Sequence, residues 1–466
     1  MKIKFIGAAR EVTGSKHLIT TNTGKRILLD CGMFQGKGLE TDSMNRELML
    51  EPELIDHIIL THAHIDHAGL IPYMYRLGFR GSVICTSATR DLCAIMLTDS
   101  AFIQEHDTMI FNKRRAKKGL SLATPLYTQA DARQCMNLFI GIPANMKFRI
   151  DDSLKVKFTH TGHMMGSGAA NIQITENGEH KRITYTGDIG RPENRILALP
   201  EPFPQADYVI AESTYGNRLH SDSTTTEEQL LNIITHTCVD KRGKLIIPAF
   251  SVGRTQEVVY TLNNFFNQGR LPRVDVFVDS PLAVNATTVF RAHPECFNPD
   301  FLNVMTADPD PFGFKNLYYI TRQQDSKNLN DRKDPCIIIS ASGMMEAGRV
   351  KHHLANNISN PRNTVLGVGY CSPVTLGARI LRGDSEVSIH GTVYPVKAEI
   401  CQLDSFSGHA DYNEMIQYLN CQDKKAIRKL FLVHGEYETQ QTYMAALKQA
   451  GFRNIAIPQR GQEFEI

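Results

Sequence analysis

The chain has 466 residues, of which 42% are hydrophobic and 21% are charged. This balance is typical of a globular protein and excludes a disordered or fibrous chain, and ordinary domain lengths predict two or three units. The formal net charge of +2 is too small to coat nucleic acid by bulk electrostatics, so a polyanion would have to bind in a local groove.

The cysteines and the apolar stretches bear on the compartment. Ten cysteines are scattered along the chain without a Cys-x-x-Cys pair, which predicts reduced thiols and no disulfide framework. Residues 1–10 enter a strand-like run without the apolar segment of a signal peptide, and no apolar stretch reaches the roughly 18 residues of a membrane span. We therefore expect a cytoplasmic protein that does not enter a membrane.

Short strand-like runs that end in polar or glycine turns dominate roughly the first 210 residues. The runs are residues 26–29, 57–60, 155–159, 182–185 and 208–211. Each run is followed by a residue with metal or acid chemistry, and these are Asp30, the cluster that begins at His62, His163, Asp188 and Glu212. Because a rigid sheet holds the loops at its strand ends in place, this recurrence predicts one site assembled from several loops.

From about residue 215 the pattern changes to strands followed by amphipathic helices, which predicts a parallel α/β layer. The strands are expected at residues 244–247, 274–278, 336–339 and 364–368, and the helices at 255–266, 283–291 and 350–355. The last ~60 residues return to the first style, with a strand at 429–433 and a helix near 439–450. The prediction is an α/β fold in which residues 214–404 form a domain inserted into a layered αββα domain of residues 1–213 and 405–466.

Three imidazoles and a carboxylate follow the strand-like run at 57–60, in the segment THAHIDH at residues 61–67. Imidazole nitrogen and carboxylate oxygen are the ligands that Zn²⁺ takes at hydrolytic centres. Four ligands on one tight loop do not fold comfortably onto a single ion, so we expect His62 and His64 to bind one metal and Asp66 and His67 to bind a second. A polar surface turn is the weaker interpretation at this spacing.

Two metals need further ligands, and other predicted strand ends offer them. His163 lies in the glycine-bearing segment TGHMMGS, and Asp188, whose carboxylate can bridge two cations, lies in YTGDIG. His434, in LVHGE, would complete the second metal. Taken alone, each of the three has a structural alternative of similar weight, as a turn or surface residue. Together and in this order, they favour a two-metal site.

These motifs resemble the β-CASP branch of the metallo-β-lactamase superfamily. Within it, the chain is similar to RNA-processing nucleases such as the nuclease subunit of the pre-mRNA cleavage and polyadenylation machinery and its bacterial and archaeal relatives. The resemblance covers essentially the whole chain. The His-x-His-x-Asp-His loop marks the superfamily, and the segments around Glu212, His409 and His434 mark the branch.

The resemblance also implies a role for each site residue. It assigns one metal to His62, His64, His163 and Asp188, and the other to Asp66, His67, Asp188 and His434. It makes Asp30 a brace for the histidine loop, and such braces are worth about 10–100-fold in metal affinity or activity. It makes His409 the general acid, held in orientation by Glu212, and counts Asp66 among the catalytic residues.

The inserted domain contains two segments that suit phosphate. Residues 248–256 and 340–345 each join a predicted strand to a helix, so backbone N–H groups and a helix dipole point to the same place. Substrate contacts are expected from Ser251, Arg254, Ser342, Arg349, Ser407 and Gly408, with bidentate phosphate contacts from the two arginines. Both segments are explained equally well if their glycines only allow a tight turn between strand and helix. The basic run at residues 113–118 is more simply a solvated helix end than a phosphate contact.

The function that the resemblance implies is hydrolysis of phosphodiester bonds of single-stranded RNA, leaving a 5′-phosphate, through a hydroxide activated by two Zn²⁺ per chain. A DNA nuclease of the same branch is less favoured, because DNA-directed members generally lack the histidine found here at 434. A catalytically silent RNA-binding scaffold is disfavoured because every expected ligand is present. A lactamase or thioesterase would need a more open site. The RNA would be held by the cleft itself, or across a homodimer.

Overall fold

The computed structural model of the chain describes residues 1–36, 40–220, 226–369, 371, 375–403 and 408–466. Chain contacts divide it into two compact units. The first unit is discontinuous and combines Met1–Leu219 with His409–Ile466, and the second is His220–Gly408. Within the described ranges, none of the helices combines the length and the apolar character needed to cross a membrane.

Strands and helices are numbered in chain order. The strands are β1 Lys2–Gly7, β2 Lys16–Thr20, β3 Arg26–Leu29, β4 His57–Ile59, β5 Ser82–Thr86, β6 Phe139–Ile142, β7 Phe148–Arg149, β8 Leu154–His160, β9 Gly168–Glu176, β10 Glu179–Tyr185, β11 Tyr208–Glu212, β12 Lys244–Pro248, β13 Asp275–Asp279, β14 Leu317–Tyr319, β15 Cys336–Ser340, β16 Thr364–Gly367, β17 Glu386–Ile389, β18 Thr392–Pro395, β19 Glu399–Gln402, β20 Lys429–Val433, β21 Ile455–Ala456 and β22 Glu463–Glu465. The α-helices are α1 Glu40–Arg46, α2 Ile65–Ala68, α3 Ile71–Arg76, α4 Ser87–Ala116, α5 Gln129–Cys135, α6 Thr226–Ile234, α7 Arg254–Asn267, α8 Pro281–Ala292, α9 Pro299–Ala307, α10 Gln323–Asp331, α11 Val350–Asn357, α12 Leu376–Leu381, α13 Tyr412–Leu419 and α14 Tyr437–Gln449.

The first unit contains two seven-stranded sheets, with the orders β22-β1-β2-β3-β4-β5-β6 and β21-β20-β11-β10-β9-β8-β7. Their inner faces share one apolar core, in which Phe5 and Ile27 of the first sheet meet Phe431 of the second. Side chains alternate along a strand. Ile210 of β11 therefore points into this core, whereas its neighbour Val209 packs in a second core with residues of α13 and α14. On the other side, α4 lies against β5 and β6, which completes the αββα layers.

Parallel pairing brings the loops of the site to one edge of each sheet. In the first sheet β3, β4, β5 and β6 are parallel, and in the second β10, β11, β20 and β21 are parallel. Since the carboxyl ends of parallel strands share an edge, the loops after β3 and β4 lie together, as do the loops after β10, β11 and β20. The strands predicted for this unit are confirmed, with ends that differ by no more than three residues.

The second unit is built around a six-stranded sheet with the order β14-β13-β15-β12-β16-β19, in which every pair of neighbours is parallel. A hairpin of β17 and β18 packs with it. Ile246 of β12 and Ile338 of β15 lie in its core with Leu354 of α11. The strand-and-helix pattern predicted for this part of the chain is confirmed, and with it the α/β fold class.

Candidate metal centre

The histidine loop leaves β4 and enters α2, a single turn that starts after His64. The backbone of this turn is pinned to the loop that follows β3, because the N–H of Cys31 donates to the carbonyl of His67 at 2.7 Å. The approach is so close that a Cβ added at Gly32 would lie 1.6 Å from the carbonyl oxygen of Asp66. Only glycine fits there, and this close packing fixes the position of Asp66 and His67.

Asp30 holds the histidine loop with both carboxylate oxygens. Oδ1 accepts from the backbone N–H of Thr61 at 2.7 Å, and Oδ2 accepts from the Thr61 hydroxyl at 2.8 Å and from His67 Nδ1 at 2.6 Å. The residue is fully buried and has a φ of 56°, a region that side chains other than glycine rarely adopt. Asp30 therefore lies where a brace for the loop is required.

Hydrogen bonds at the outer nitrogens orient three of the imidazoles. His67 Nδ1 donates to Asp30, His62 Nδ1 donates to the Thr61 hydroxyl at 3.0 Å, and His434 Nδ1 donates to the Thr214 hydroxyl at 2.8 Å. When these imidazoles are neutral, Nδ1 carries the proton and Nε2 offers its lone pair as a ligand atom.

One group of ligand-type atoms consists of His62, His64, His163 and Asp188, whose atoms all lie within 4.8 Å of one another. Nε2 of His62 and Nε2 of His163 are each 3.5 Å from Asp188 Oδ2. His163 Nε2 also faces His64 Nδ1 at 3.1 Å. These are the four residues that the resemblance assigns to one metal.

A second group forms around Asp66, His67 and His434, again within 4.8 Å. His67 Nε2 is 3.2 Å and His434 Nε2 is 3.7 Å from Asp188 Oδ1, and His434 Nε2 is 3.4 Å from Asp66 Oδ2. Asp188 thus presents Oδ2 to the first group and Oδ1 to the second. A carboxylate placed in this way can bridge two cations.

The chemistry of these atoms fits divalent cations. His62 Nε2 and Asp188 Oδ1 are buried and have no hydrogen-bond partner among the described residues, which is uncommon for buried polar atoms. Burial is the main cause that lowers the pKa of His64 to about 4 and that of His62 well below its ordinary value, so both imidazoles are neutral and offer lone pairs. A nitrogen and oxygen donor set of this kind suits Zn²⁺.

Next to the first group, His409 is paired with Glu212. His409 Nδ1 lies 3.2 Å and 3.3 Å from the two oxygens of Glu212, which also accepts from the backbone N–H of Ile189. Burial lowers the pKa of His409, but the Glu212 carboxylate and the nearby aspartates outweigh it and raise the pKa to about 9. Nε2 lies 4.0 Å from Asp188 Oδ2. His409 therefore lies at the rim of the ligand-type atoms, in surroundings that favour its protonated form, which can donate a proton.

The predicted phosphate contacts after β12 and β15 form hydrogen bonds and ion pairs within the chain. The two turns lie side by side, since a Cβ at Gly343 would be 2.7 Å from the ring of Phe250. Arg254 pairs with Glu257, and Arg349 Nη1 pairs with Asp279 at 2.6 Å. The remaining members of the set are Ser251, whose hydroxyl is 3.0 Å from that of Ser280, Ser342, which bonds with Ala347 at 3.3 Å, and the half-buried Gly408. Ser407 lies outside the described residues.

Sequence reasoning missed two orienting hydroxyls. Thr61 bonds to both Asp30 and His62, and Thr214 holds His434 and also donates to its backbone carbonyl at 3.1 Å. Each lies within two residues of a residue already singled out, so a search for hydroxyls beside ligand motifs would have found both.

Comparison with known proteins agrees with this geometry. Family models match in three places: the metallo-beta-lactamase superfamily at residues 14–221, the Beta-Casp domain at 255–380, and the Zn-dependent metallo-hydrolase RNA specificity domain at 393–458. Ribonuclease TTHA0252 of Thermus thermophilus is 34% identical over 438 residues, which is 94% of each chain. The chain belongs to the β-CASP branch of the metallo-β-lactamase superfamily.

Two archaeal relatives extend the comparison. The RNase J-like protein of Methanocaldococcus jannaschii is 30% identical over 438 residues, 93% of this chain and 92% of the relative. The transcription termination factor FttA of the same organism is 30% identical over 448 residues, 94% of this chain and 67% of the relative. This β-CASP protein is a metal-dependent hydrolase, and the resemblance recognised from its motifs is confirmed.

Proposed function

We propose that this β-CASP protein is a two-zinc ribonuclease that hydrolyses the phosphodiester backbone of single-stranded RNA and leaves a 5′-phosphate. The observation that carries the proposal is Asp188, whose two oxygens face two separate groups of ligand atoms. His62, His64, His163 and Asp188 would hold one ion, and Asp66, His67, Asp188 and His434 the other. When bound, two divalent cations bring the pKa of water towards neutrality and stabilise charge on the attacking and leaving oxygens.

The protein's own residues supply the proton for the leaving group. The Glu212 carboxylate favours the protonated form of His409 and faces its ring at Nδ1, so that a proton on Nε2 points away from Glu212 and can be donated. In the proposed reaction this proton goes to the sugar oxygen that departs from phosphorus. Hydrolysis then yields a 3′-hydroxyl on one fragment and a 5′-phosphate on the other.

RNA is supported as the substrate by the relatives. Ribonuclease TTHA0252 is aligned over 94% of its length, whereas FttA is aligned over 67%, so the ribonuclease is matched nearly throughout. The model that matches residues 393–458 is described as an RNA specificity domain. His434, the histidine that favours an RNA-directed member of the branch, is also in place beside Asp66.

The proposed substrate is tested with matched oligonucleotides. A labelled single-stranded RNA and the DNA of the same sequence are incubated with the protein, and the product ends are analysed. We expect faster cleavage of RNA, 5′-phosphate ends, cleavage of RNA with a 2′-O-methyl group at the scissile position, and slower cleavage as salt rises. Equal or faster cleavage of DNA would favour a DNA nuclease, and 2′,3′-cyclic phosphate ends would contradict water attack.

The proposed cofactor is tested separately. Elemental analysis of protein prepared without chelator is expected to give about two equivalents of zinc per chain. Full activity in the presence of chelator would overturn the two-metal proposal. RNA binding by metal-loaded protein without any hydrolysis would instead favour the silent scaffold.

A further inference from the structure

The second half of α4 exposes an apolar stripe. The buried side chains of this 30-residue helix end at Ala101. Beyond it, the exposed fractions are 55% for Phe102, 39% for Ile103, 48% for Met109 and 39% for Ile110. Their spacing places these four residues on one helix face together with His106. We name these five residues the α4 stripe.

Polar side chains that point away from the stripe make the contacts of this segment within the chain. Asn112 exchanges two hydrogen bonds with the backbone of Ala123, at 2.9 Å and 2.8 Å. Arg115 Nε donates to the carbonyl of Ser121 at 2.5 Å. A surface helix normally turns its apolar side inward. Here the polarity is reversed, and an exposed apolar face of this kind marks an interaction site.

Charges at the two ends of the α4 stripe are complementary. Asp99 lies on this face at the start of the stripe, while Lys113 and Lys117 continue it at the other end. None of these three side chains has an ion-pair partner in the part of the chain that the structure describes, and burial raises the pKa of Asp99. In an antiparallel pair of identical α4 helices, Asp99 of each copy would lie opposite Lys113 of the other copy. The surface is therefore complementary to itself, as a two-fold interface requires.

We infer that the α4 stripe joins two copies of this chain, with the two α4 helices packed antiparallel about a two-fold axis at His106. Pairing Asp99 with Lys113 of the second copy sets Phe102 opposite Ile110 and Ile103 opposite Met109, so apolar side chains meet apolar side chains throughout. This inference does not depend on the proposed reaction.

The size and chemistry of the stripe define the expected complex. A helix pair of this length buries less than the ~1,600 Å² of a standard stable interface, so a Kd in the micromolar range is expected.

Two other occupants suit the stripe less well. RNA would meet the carboxylate of Asp99 and mostly aliphatic side chains, and an anionic membrane would find basic residues at one end only.

The first test measures mass in solution with a charge placed in the stripe. Wild type is expected to approach twice its 52.3 kDa chain mass in sedimentation equilibrium from about 1 to 100 µM. Ile110→Glu buries an unpaired charge in the interface and should raise the Kd about tenfold or more. The matched control is Phe111→Glu, because Phe111 is 51% exposed but lies off the stripe, next to Arg115. It should change the Kd by less than about twofold.

A second test reads the register directly. His106→Cys should form a disulfide between copies under mild oxidation, since the two positions meet at the axis, whereas Phe111→Cys and wild type should not. Lys113→Glu should weaken the dimer, and adding Asp99→Lys should restore it. Thermal melts of each variant show whether the fold is intact.

Three outcomes would overturn the inference. The first is a wild type that stays at its chain mass throughout the concentration range. The second is a dimer that Ile110→Glu leaves unchanged, because the copies would then meet elsewhere. The third is an Ile110→Glu variant of unchanged mass that loses binding to a labelled single-stranded RNA or to phosphatidylserine vesicles, which would assign the stripe to that occupant.

Discussion

The two units of this protein both collect polar side chains where parallel strands end, and they leave those side chains in opposite states. In the first unit, His62 Nε2 and Asp188 Oδ1 are buried without a hydrogen-bond partner among the described residues. In the second, Asp279 at the end of β13 is fully buried and accepts from Arg349 at 2.6 Å, from His353 at 2.6 Å and from Ser326.

This difference separates a binding site from a structural network. A buried polar atom without a partner costs about 1–3 kcal/mol, so a set of such atoms persists where a ligand compensates it. The carboxylate oxygens of Asp279 already accept hydrogen bonds within the chain, so they are not available to bind a metal. It also occupies Arg349, which must leave Asp279 before it can contact a phosphate.

The largest effect is expected from Asp188→Asn, because the amide cannot supply the charge that faces both ligand groups. Zinc content should fall from about two equivalents per chain, and the rate of RNA cleavage should fall on the order of 10⁴-fold. Asp279→Asn is the matched control in the second unit and should keep both metals. If Asp188→Asn keeps about two equivalents of zinc and cleaves RNA at the wild-type rate, the distinction between the candidate metal centre and the Asp279 network is wrong.

His409→Ala should separate proton donation from metal binding. Its Nε2 lies at the rim of the ligand atoms and not among them. The rate should therefore fall about 10²–10⁴-fold while elemental analysis still gives the wild-type zinc content. Loss of a metal in this variant would show that His409 is a ligand and that the proposed role is wrong.

Asp279→Asn should act on stability. Burial raises the pKa of Asp279, but hydrogen bonds from His353, Ser326 and Arg349 outweigh it and hold the pKa below its ordinary value. The carboxylate therefore stabilises the fold above pH ~4, and this contribution is lost as the pH falls through the folded pKa. We expect a loss of about 3 kcal/mol in the free energy of unfolding at pH 7, because one partner of a buried ion pair is removed.

Denaturant titrations at pH 7 and in acid measure this effect. The difference between wild type and Asp279→Asn should shrink as the pH falls, while the cleavage rate per folded molecule stays within a few-fold of wild type. Equal stability at pH 7, or a loss of zinc, would contradict a purely structural network.

Much of the candidate metal centre could be predicted from the sequence because each candidate ligand lies in a local motif. Four of them fall within residues 61–67, and each of the others follows a strand whose apolar pattern is visible. The sequence indicates that Asp188 serves both groups, but which carboxylate oxygen faces which group could not be predicted, since this depends on how two sheets bring distant loops together. The same holds for Thr214, which meets His434 across 220 positions of sequence.

The inserted unit shows the limit of such reasoning. A glycine-bearing turn between strand and helix indicates a phosphate site only if its cations are available, and the ion pair of Arg349 with Asp279 joins residues 70 positions apart. The reversed polarity of α4 was equally hidden, because a helical spacing does not tell which side faces solvent.

The division of the fold falls at residues 219/220 and 408/409. The domain limits at 213/214 and 404/405 remain predictions.

The smallest effect is expected from Glu212→Gln, which tests whether Glu212 tunes His409. The carboxylate raises the pKa of His409 to about 9, outweighing burial, so its replacement should lower that pKa. His409 acts as an acid only while protonated, and the alkaline limb of the pH–rate profile should therefore move about one unit or more to lower pH. Wild type and Glu212→Gln should differ least in rate at pH 6 and most above pH 8.

The ion pair between Glu212 and His409 also predicts how the stability of the fold changes with pH. Because the folded pKa of His409 is raised, the ion pair stabilises the fold fully below the unfolded value of ~6.5 and loses this contribution as the pH rises through about 9. Glu212→Gln should thus be destabilised relative to wild type at pH 6, with the difference shrinking towards pH 9. Bound cations would lower the pKa of His409 in both proteins, so the measured quantity is the difference in stability between wild type and Glu212→Gln. An unchanged alkaline limb would leave Glu212 with orientation of the ring as its remaining role.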